Sequence, residues 1–312
     1  MNIFFCASTS QLFTVDKVMD VLPDTDKHIV VFMYTPNINR EKAMYYSDKV
    51  KNRCHSFIFL DFYFSTLITT YIKLLWLTLF RKKIFFVANW SIAEFRILAR
   101  FLNIKEIRTF DDGAANLVIT REGMDERAPN SIRVKYLLKW SKWTPQYLMD
   151  NSKAHYSFFS HIPQIMKNLI PISVMGKTPS VVSQQDICPN RILLGQPVTE
   201  FVKTDNPAAY VEQVIKDKNI DYYFPHPREE FEISDKSKVV KSPLLFEDYF
   251  AEFLSDKPCV IYTFFSTTIV SLYNLPNVKA IVLRPHNLIP AKRWTDTYEM
   301  LASLGIETEI LY

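Results

Sequence analysis

The chain has 312 residues, 48% hydrophobic and 22% charged, which suffices for two medium-sized domains with full cores and is too apolar for disorder. Its 37 lysines and arginines against 33 acids leave a net charge of +4, too thin and too evenly spread to argue for nucleic acid. Four widely separated cysteines (Cys6, Cys54, Cys188, Cys259) form no C-x-x-C pair, which argues against a disulfide framework or a structural zinc and fits a reducing compartment.

The opening NIFFCA reads as a buried strand, because it lacks the basic n-region and the long apolar run of a signal peptide. Short apolar runs predict further strands at 28–33, 56–60, 84–88 and 106–110, with helices at 11–21 and 91–101. Segment 56–80 is the most membrane-like. Its longest charge-free stretch, 62–72, has 11 residues between Asp61 and Lys73, whereas a spanning helix needs about 20. It predicts a buried or dimer-interface helix, with a membrane-surface contact beside Arg81-Lys82-Lys83 as the alternative. The pattern breaks over SVMGKTPSVVSQQDICPN (173–190), which reads as a linker between lobes 1–180 and 181–312. Beyond it, strands are predicted at 191–194, 220–224, 260–264 and 278–283, and helices at 207–218, 245–254 and 267–275. Such alternation predicts an α/β fold of parallel sheets covered on both faces.

Neither G-x-G-x-x-G nor G-x-x-x-x-G-K-[ST] occurs, which weakens dinucleotide and P-loop functions. Four polar clusters instead follow predicted strands: Thr109-Phe110-Asp111-Asp112-Gly113, Leu194-Gly195-Gln196-Pro197, Pro225-His226-Pro227-Arg228 and Phe265-Ser266-Thr267-Thr268. Ligands of open parallel sheets bind outside the strands' carboxyl ends, so the clusters are expected to line one cleft between two lobes. Each has a plain structural alternative. Asp-Asp-Gly is an ordinary turn sequence, although two carboxylates sharing a cleft would make one a proton acceptor. The prolines around His226 stiffen a single imidazole, and Arg228 adds a donor fork suited to phosphate. Ser266-Thr267 reads as a helix cap or as a phosphate site, and Glu247 as a helix-dipole partner or a ribose ligand. His28, His55, His155, His161 and His286 show no partner spacing and are read as structural or solvated. Adjacent Asp111 and Asp112 chelate poorly, so no metal set emerges.

TFDDGAANL, RILLGQP, PHPRE, SPLLFEDYF and YTFFS follow the order and spacing of bacterial lipooligosaccharide sialyltransferases of glycosyltransferase family 52. The opening NIFFCASTSQLFTVDKVM resembles that family's first strand and helix, including Gln11. The resemblance spans nearly the whole chain. It implies a GT-B-like architecture of two Rossmann-like lobes, often dimeric. It also implies inverting transfer of sialic acid from CMP-sialic acid to a terminal galactose, without metal or other cofactor. Some members carry an N-terminal membrane anchor, which is not expected in a sequence opening on the first strand. His226 resembles the family histidine that bonds the CMP phosphate and acts as general acid. Ser266 and Thr267 match the hydroxyl motif on that phosphate, and Glu247 the ribose-binding acid. Gly195, Gln196, Pro225 and Arg228 would line the cytidine and phosphate pocket. The family's general-base aspartate after the Gly-x-Pro turn is Val198 here. Glu200 and Asp111 are the replacements, Asp111 favoured because its cluster ends a strand. Gln11, Asn89 and Asp112 are expected acceptor contacts. The rivals are a family member using a UDP-sugar and, given Val198, a catalytically silent sugar-nucleotide-binding protein. The donor and the reduced cysteines imply a cytoplasmic protein, peripheral at the inner face of the inner membrane.

Overall fold

The computed structural model describes residues 1–34, 39–61, 63–113, 117, 132–139, 141–175 and 188–312. It divides into two compact units, Met1–Ser173 and Val174–Tyr312. The division falls at the start of the expected linker, whereas the lobe boundary expected from sequence follows residue 180; residues 176–187 lie outside the described residues.

The first unit contains strands β1 (Asn2–Cys6), β2 (His28–Met33), β3 (Ser56–Leu60), β4 (Ile84–Val87), β5 (Glu106–Phe110), β6 (Ser152–Ser157) and β7 (Leu169–Pro171). They form one parallel sheet in the order β3-β2-β1-β4-β5-β6-β7. Its helices are α1 (Thr9–Met19), α2 (Arg40–Lys51), α3 (Phe64–Leu77), α4 (Ala93–Phe101), α5 (Ile132–Leu138) and α6 (Pro145–Asp150). β1 and β2 are buried throughout, since a parallel strand carries helices on both faces; hence their unbroken apolar sequences. Ser8 caps α1 by accepting the Gln11 N–H. Buried Asp16 ties α1 to the end of α2 through Lys49 (3.1 Å) and Arg53 (2.5 Å). From β1 the chain builds outward to β3, then resumes on the other side with β4, so the order reverses between β1 and β4.

The segment expected to form a buried or dimer-interface helix contains α3, which is half buried. Leu67, Thr70, Leu74 and Thr78 face inward, while Ile68, Ile72, Trp76 and Leu79 are exposed. Among the described residues no helix is long and apolar enough to cross a membrane.

The second unit contains β8 (Asn190–Leu194), β9 (Tyr222–Phe224), β10 (Cys259–Thr263), β11 (Val278–Pro285) and β12 (Glu307–Leu311). With them come α7 (Pro207–Asp217), α8 (Phe246–Phe253), α9 (Thr268–Leu272), α10 (Lys292–Ser303) and a 3-10 turn at Val198–Glu200. The sheet is again parallel, in the order β12-β11-β10-β8-β9. Its order reverses between β8 and β10. Phe201 anchors the core, with ring centroids 5.2 Å from Phe264 and 6.1 Å from Trp294. Both units are therefore doubly wound. All four cysteines are free thiols.

Candidate functional site

In the second unit, strand register alone brings the sequence-distant clusters to one edge. Leu194 pairs with Phe224 on one side and Thr263 on the other, so the segments after β8, β9 and β10 start side by side. This is the topological reversal of the sheet, where a ligand finds strand ends diverging. Gly195 lies at its centre. Its N–H donates to Phe224 C=O (2.8 Å), and a Cβ there would fall 2.2 Å from Glu229 Oε1 and 2.9 Å from the His226 nitrogen. A glycine is required by close approach rather than by dihedral angle.

His226 sits in a four-residue turn closed by Glu229 N–H donating to His226 C=O (3.0 Å). The Arg228 N–H donates to His226 Nδ1 (3.1 Å), so Nδ1 is the acceptor and the neutral ring carries its proton on Nε2. Glu229 accepts the His226 N–H at Oε1 (2.9 Å) and the Tyr223 O–H at Oε2 (2.6 Å). Loss of solvent pushes the Glu229 carboxyl up to about 7 despite those two hydrogen bonds, and burial beside it raises the Tyr223 phenol strongly. The Arg228 guanidinium pairs with Glu200 Oε1 (2.8 Å). Gln196 is buried and Pro225 half-buried. Val198 is fully buried in the core, so the position that departs from the family pattern belongs to packing; an aspartate there would be a charge without water.

At the β10 edge, Ser266 N–H donates to Thr263 Oγ1 (2.9 Å). The helix that follows is short, and the Thr267 side chain makes no capping bond. Thr268 donates its hydroxyl to Glu247 Oε1 (2.9 Å), joining the starts of α8 and α9.

In the first unit, Phe5 pairs with Val87 and Val87 with Thr109, which aligns the carboxyl ends of β1, β4 and β5. Gln11 accepts the Ala7 N–H (2.7 Å) and donates to Asp112 Oδ1 (2.8 Å), so two expected acceptor contacts meet. Asn89 accepts from the Ser91 N–H (3.1 Å) and hydroxyl (2.6 Å), as an ordinary asparagine turn does. Asp111 differs from the expected proton acceptor. It is 1% exposed; Oδ1 lies 3.0 Å from His155 Nε2, and Oδ2 accepts the Phe158 N–H (2.8 Å). His155 Nδ1 continues the chain to Thr109 Oγ1 (2.9 Å), which reaches Ser152 Oγ (2.8 Å). Asp111 thus braces β5 against β6 with both oxygens engaged, whereas Asp112 is half-exposed. A further departure is Glu200, expected as the other base and found in an ion pair. Residues 114–116, which follow the D-D-G motif, lie outside the described residues.

Glu229, which ends the PHPRE motif, and Tyr223 belong to the cluster without being among the residues expected from sequence. The available signal was Gly195 itself, one of only 5 glycines, after a strand and opposite a histidine loop. Among the described residues no group of three or more histidine, cysteine, aspartate or glutamate side chains is placed to hold a metal.

Two doubly wound parallel units with polar clusters at the carboxyl edges define the GT-B class of glycosyltransferase folds. The chain resembles the solved Phytolacca americana UGT2 complexed with UDP-2fluoro-glucose and pterostilbene, with a TM-score of 0.53 at 10% identity, over 100% of this chain and 85% of that one. A glycotransferase of kitacinnamycin gives 0.51 at 10% identity, over 99% and 86%. Residues 27–287 match the profile described as Glycosyltransferase family 52, and the chain belongs to that family. It is 25% identical to a CMP-N-acetylneuraminate:beta-galactoside alpha-2,3-sialyltransferase of Pasteurella multocida (strain Pm70), over 98% of each. An N-acetyllactosaminide alpha-2,3-sialyltransferase of Haemophilus influenzae is 26% identical, again over 98% of each.

Proposed function

We propose that this glycosyltransferase moves sialic acid from CMP-sialic acid to the terminal galactose of a lipooligosaccharide or related glycan, with inversion and in the α-2,3 linkage for which its relatives are named. The observation that carries it is the His226 turn on Gly195, an imidazole with its Nε2–H fixed at the reversal of a doubly wound sheet, with Ser266, Thr267 and Glu247 at the adjoining strand end.

The second unit holds the donor. Arg228, the Ser266 and Thr267 hydroxyls and His226 meet the phosphate, and Glu247 the ribose; Gln196 and Pro225 flank the nucleotide. The bond from the anomeric carbon to phosphate breaks ahead of attack. His226 then donates from Nε2 to the departing oxygen. Nδ1 already accepts the Arg228 N–H, so the ring meets the phosphate through Nε2. A phosphomonoester whose second pKa is about 6 is a leaving group that needs its charge met more than its oxygen protonated. This requires no metal and no cofactor.

The acceptor proton goes to Asp112. Inversion puts the base opposite the leaving phosphate, and Glu200 is tied to Arg228, two residues from His226. Asp111 has both oxygens engaged inside the first unit. Gln11, bonded to Asp112, orients it, and Asn89 lies at the next strand end for acceptor contact. The acceptor is lipid-linked, and we assign α3 and the following Arg81-Lys82-Lys83 to peripheral contact with the inner membrane face.

The test is purified protein with CMP-sialic acid and lactose, product linkage read by NMR, and calorimetry with CMP against UDP. We expect an α-2,3 product, CMP preferred, turnover unchanged by a chelator, and His226→Ala lowering turnover by about 100- to 10,000-fold. Preference for UDP, or near-normal turnover of the alanine variant, overturns the assignment.

A further inference from the structure

We propose, resting on the donor site just described, that Glu229 is its positioning residue: the carboxylate laid across Gly195 holds the His226 backbone and so sets where the imidazole meets the leaving phosphate. The backbone of the His226 turn closes with the bond from Glu229 N–H to His226 C=O. The carboxylate adds two bonds of a different kind. One reaches down to Tyr223 on β9 and the other back to the His226 N–H, so the turn is clamped to the sheet that carries the rest of the phosphate site. Gly195 is the floor of that clamp, since any side chain there would occupy the place of Glu229 Oε1. The ring is fixed within the same turn by Arg228 N–H at Nδ1. Together these leave the imidazole edge little freedom, which is the requirement for stabilising charge as it develops.

The clamp also depends on ionisation. The groups facing Glu229 are the Tyr223 hydroxyl from β9, the His226 N–H from its own turn, and Gly195 from the end of β8, which brings no charge. The nearby Arg228 guanidinium is engaged by Glu200. An ionised Glu229 accepts both bonds. A neutral acid keeps both contacts only by reversing the first, its own O–H donating to the Tyr223 oxygen, and its hold on the His226 N–H is then the weaker bond of an uncharged carbonyl. With its carboxyl pushed up to about 7, the clamp tightens as pH rises through neutrality.

The experiment uses the full chain and the variants E229A, E229Q and G195A, with kcat and KM for CMP-sialic acid measured over roughly pH 5.5 to 8.5. We expect E229A and G195A each to lose about 100-fold in kcat/KM, mostly in kcat, at temperatures where circular dichroism shows them folded. E229Q keeps an acceptor oxygen for the His226 N–H; it should stay within about tenfold of the parent while losing the rise in rate near neutrality. E229A and E229Q matching the parent in kcat, KM and pH profile, or differing only in melting temperature, overturns the inference. Affinity for CMP and for UDP is titrated in parallel. A parent that prefers UDP removes the sialyl donor; kcat is then measured with a UDP-sugar, where a loss in E229A still supports the clamp and an unchanged kcat overturns it.

Discussion

Asp111 and Asp112 are neighbours with opposite circumstances. Successive side chains leave a strand end toward opposite sides, so one of the pair must turn inward and the other toward the edge. The sequence cannot say which, because the deciding partners, His155 and the Phe158 N–H, lie on and just past β6, far along the chain. Asp111→Asn should therefore act on folding, lowering stability by about 1–3 kcal/mol as a buried hydrogen-bonded charge is lost, with turnover largely kept below the melting transition. Asp112→Asn should leave melting in place and lower kcat by about 100-fold or more, as loss of a general base does. Thermal melts and steady-state rates on the two variants separate these outcomes, and the opposite pattern returns the base to Asp111. His226 was legible in sequence because prolines flank it and a strand precedes it. Its tautomer was not, since that depends on one backbone N–H meeting Nδ1.

At the scale of elements, what was legible follows burial. β1, β2 and β10 announce themselves as apolar runs because helices cover both faces. β6, with the sequence SKAHYS, does not, since its buried Ser152 and His155 satisfy one another through Thr109 instead of being apolar. β12 is an edge strand of largely exposed residues, and α2 is so rich in charge that its periodicity is hidden. α3 is the instructive intermediate case. Its apolar content is real, but half of it faces out: Trp76 is 75% exposed and Phe80, just beyond the helix, 98%. From residue 62 to residue 93 the sequence contains no acid, while Lys73, Arg81, Lys82 and Lys83 surround the aromatic face. Two copies meeting through it would oppose like charges, whereas an anionic lipid surface would complement them. Immersing each aromatic is worth about 1.5–3 kcal/mol, so W76S/F80S should weaken association with anionic vesicles roughly 100-fold or more without changing melting. Co-sedimentation with anionic and with neutral vesicles measures this. Equal binding by the variant, or a concentration-dependent dimer that the substitutions abolish, would remove the lipid assignment.

For the molecule as a whole, the proposed donor site should make stability and ligand binding respond to pH in opposite senses. Glu229 is raised from the ordinary carboxylate value of 4.5 to about 7 in the folded chain. Between those values the folded state keeps a proton that the unfolded state has released, so this group's contribution is complete below about 4.5 and disappears as pH rises through about 7. Amide exchange at the centres of β8 and β10 reports the opening of the second unit and should show its stability declining over that window. E229Q, which has no proton to lose there, should remove the decline. CMP acts against this slope. A ligand that binds only the folded chain adds about 2.7 kcal/mol at a hundredfold excess over its Kd, and more as its affinity rises. If the ionised clamp is the form that grips the phosphate, CMP binding expels the Glu229 proton, and affinity climbs over the same window in which the free chain loses stability. Exchange measured with CMP present should then fall less steeply with pH than exchange without it, and in E229Q the two curves should run parallel. Parallel curves in the unsubstituted chain would mean that the phosphate is held with no regard to the charge on Glu229, and that His226 is positioned by the turn alone.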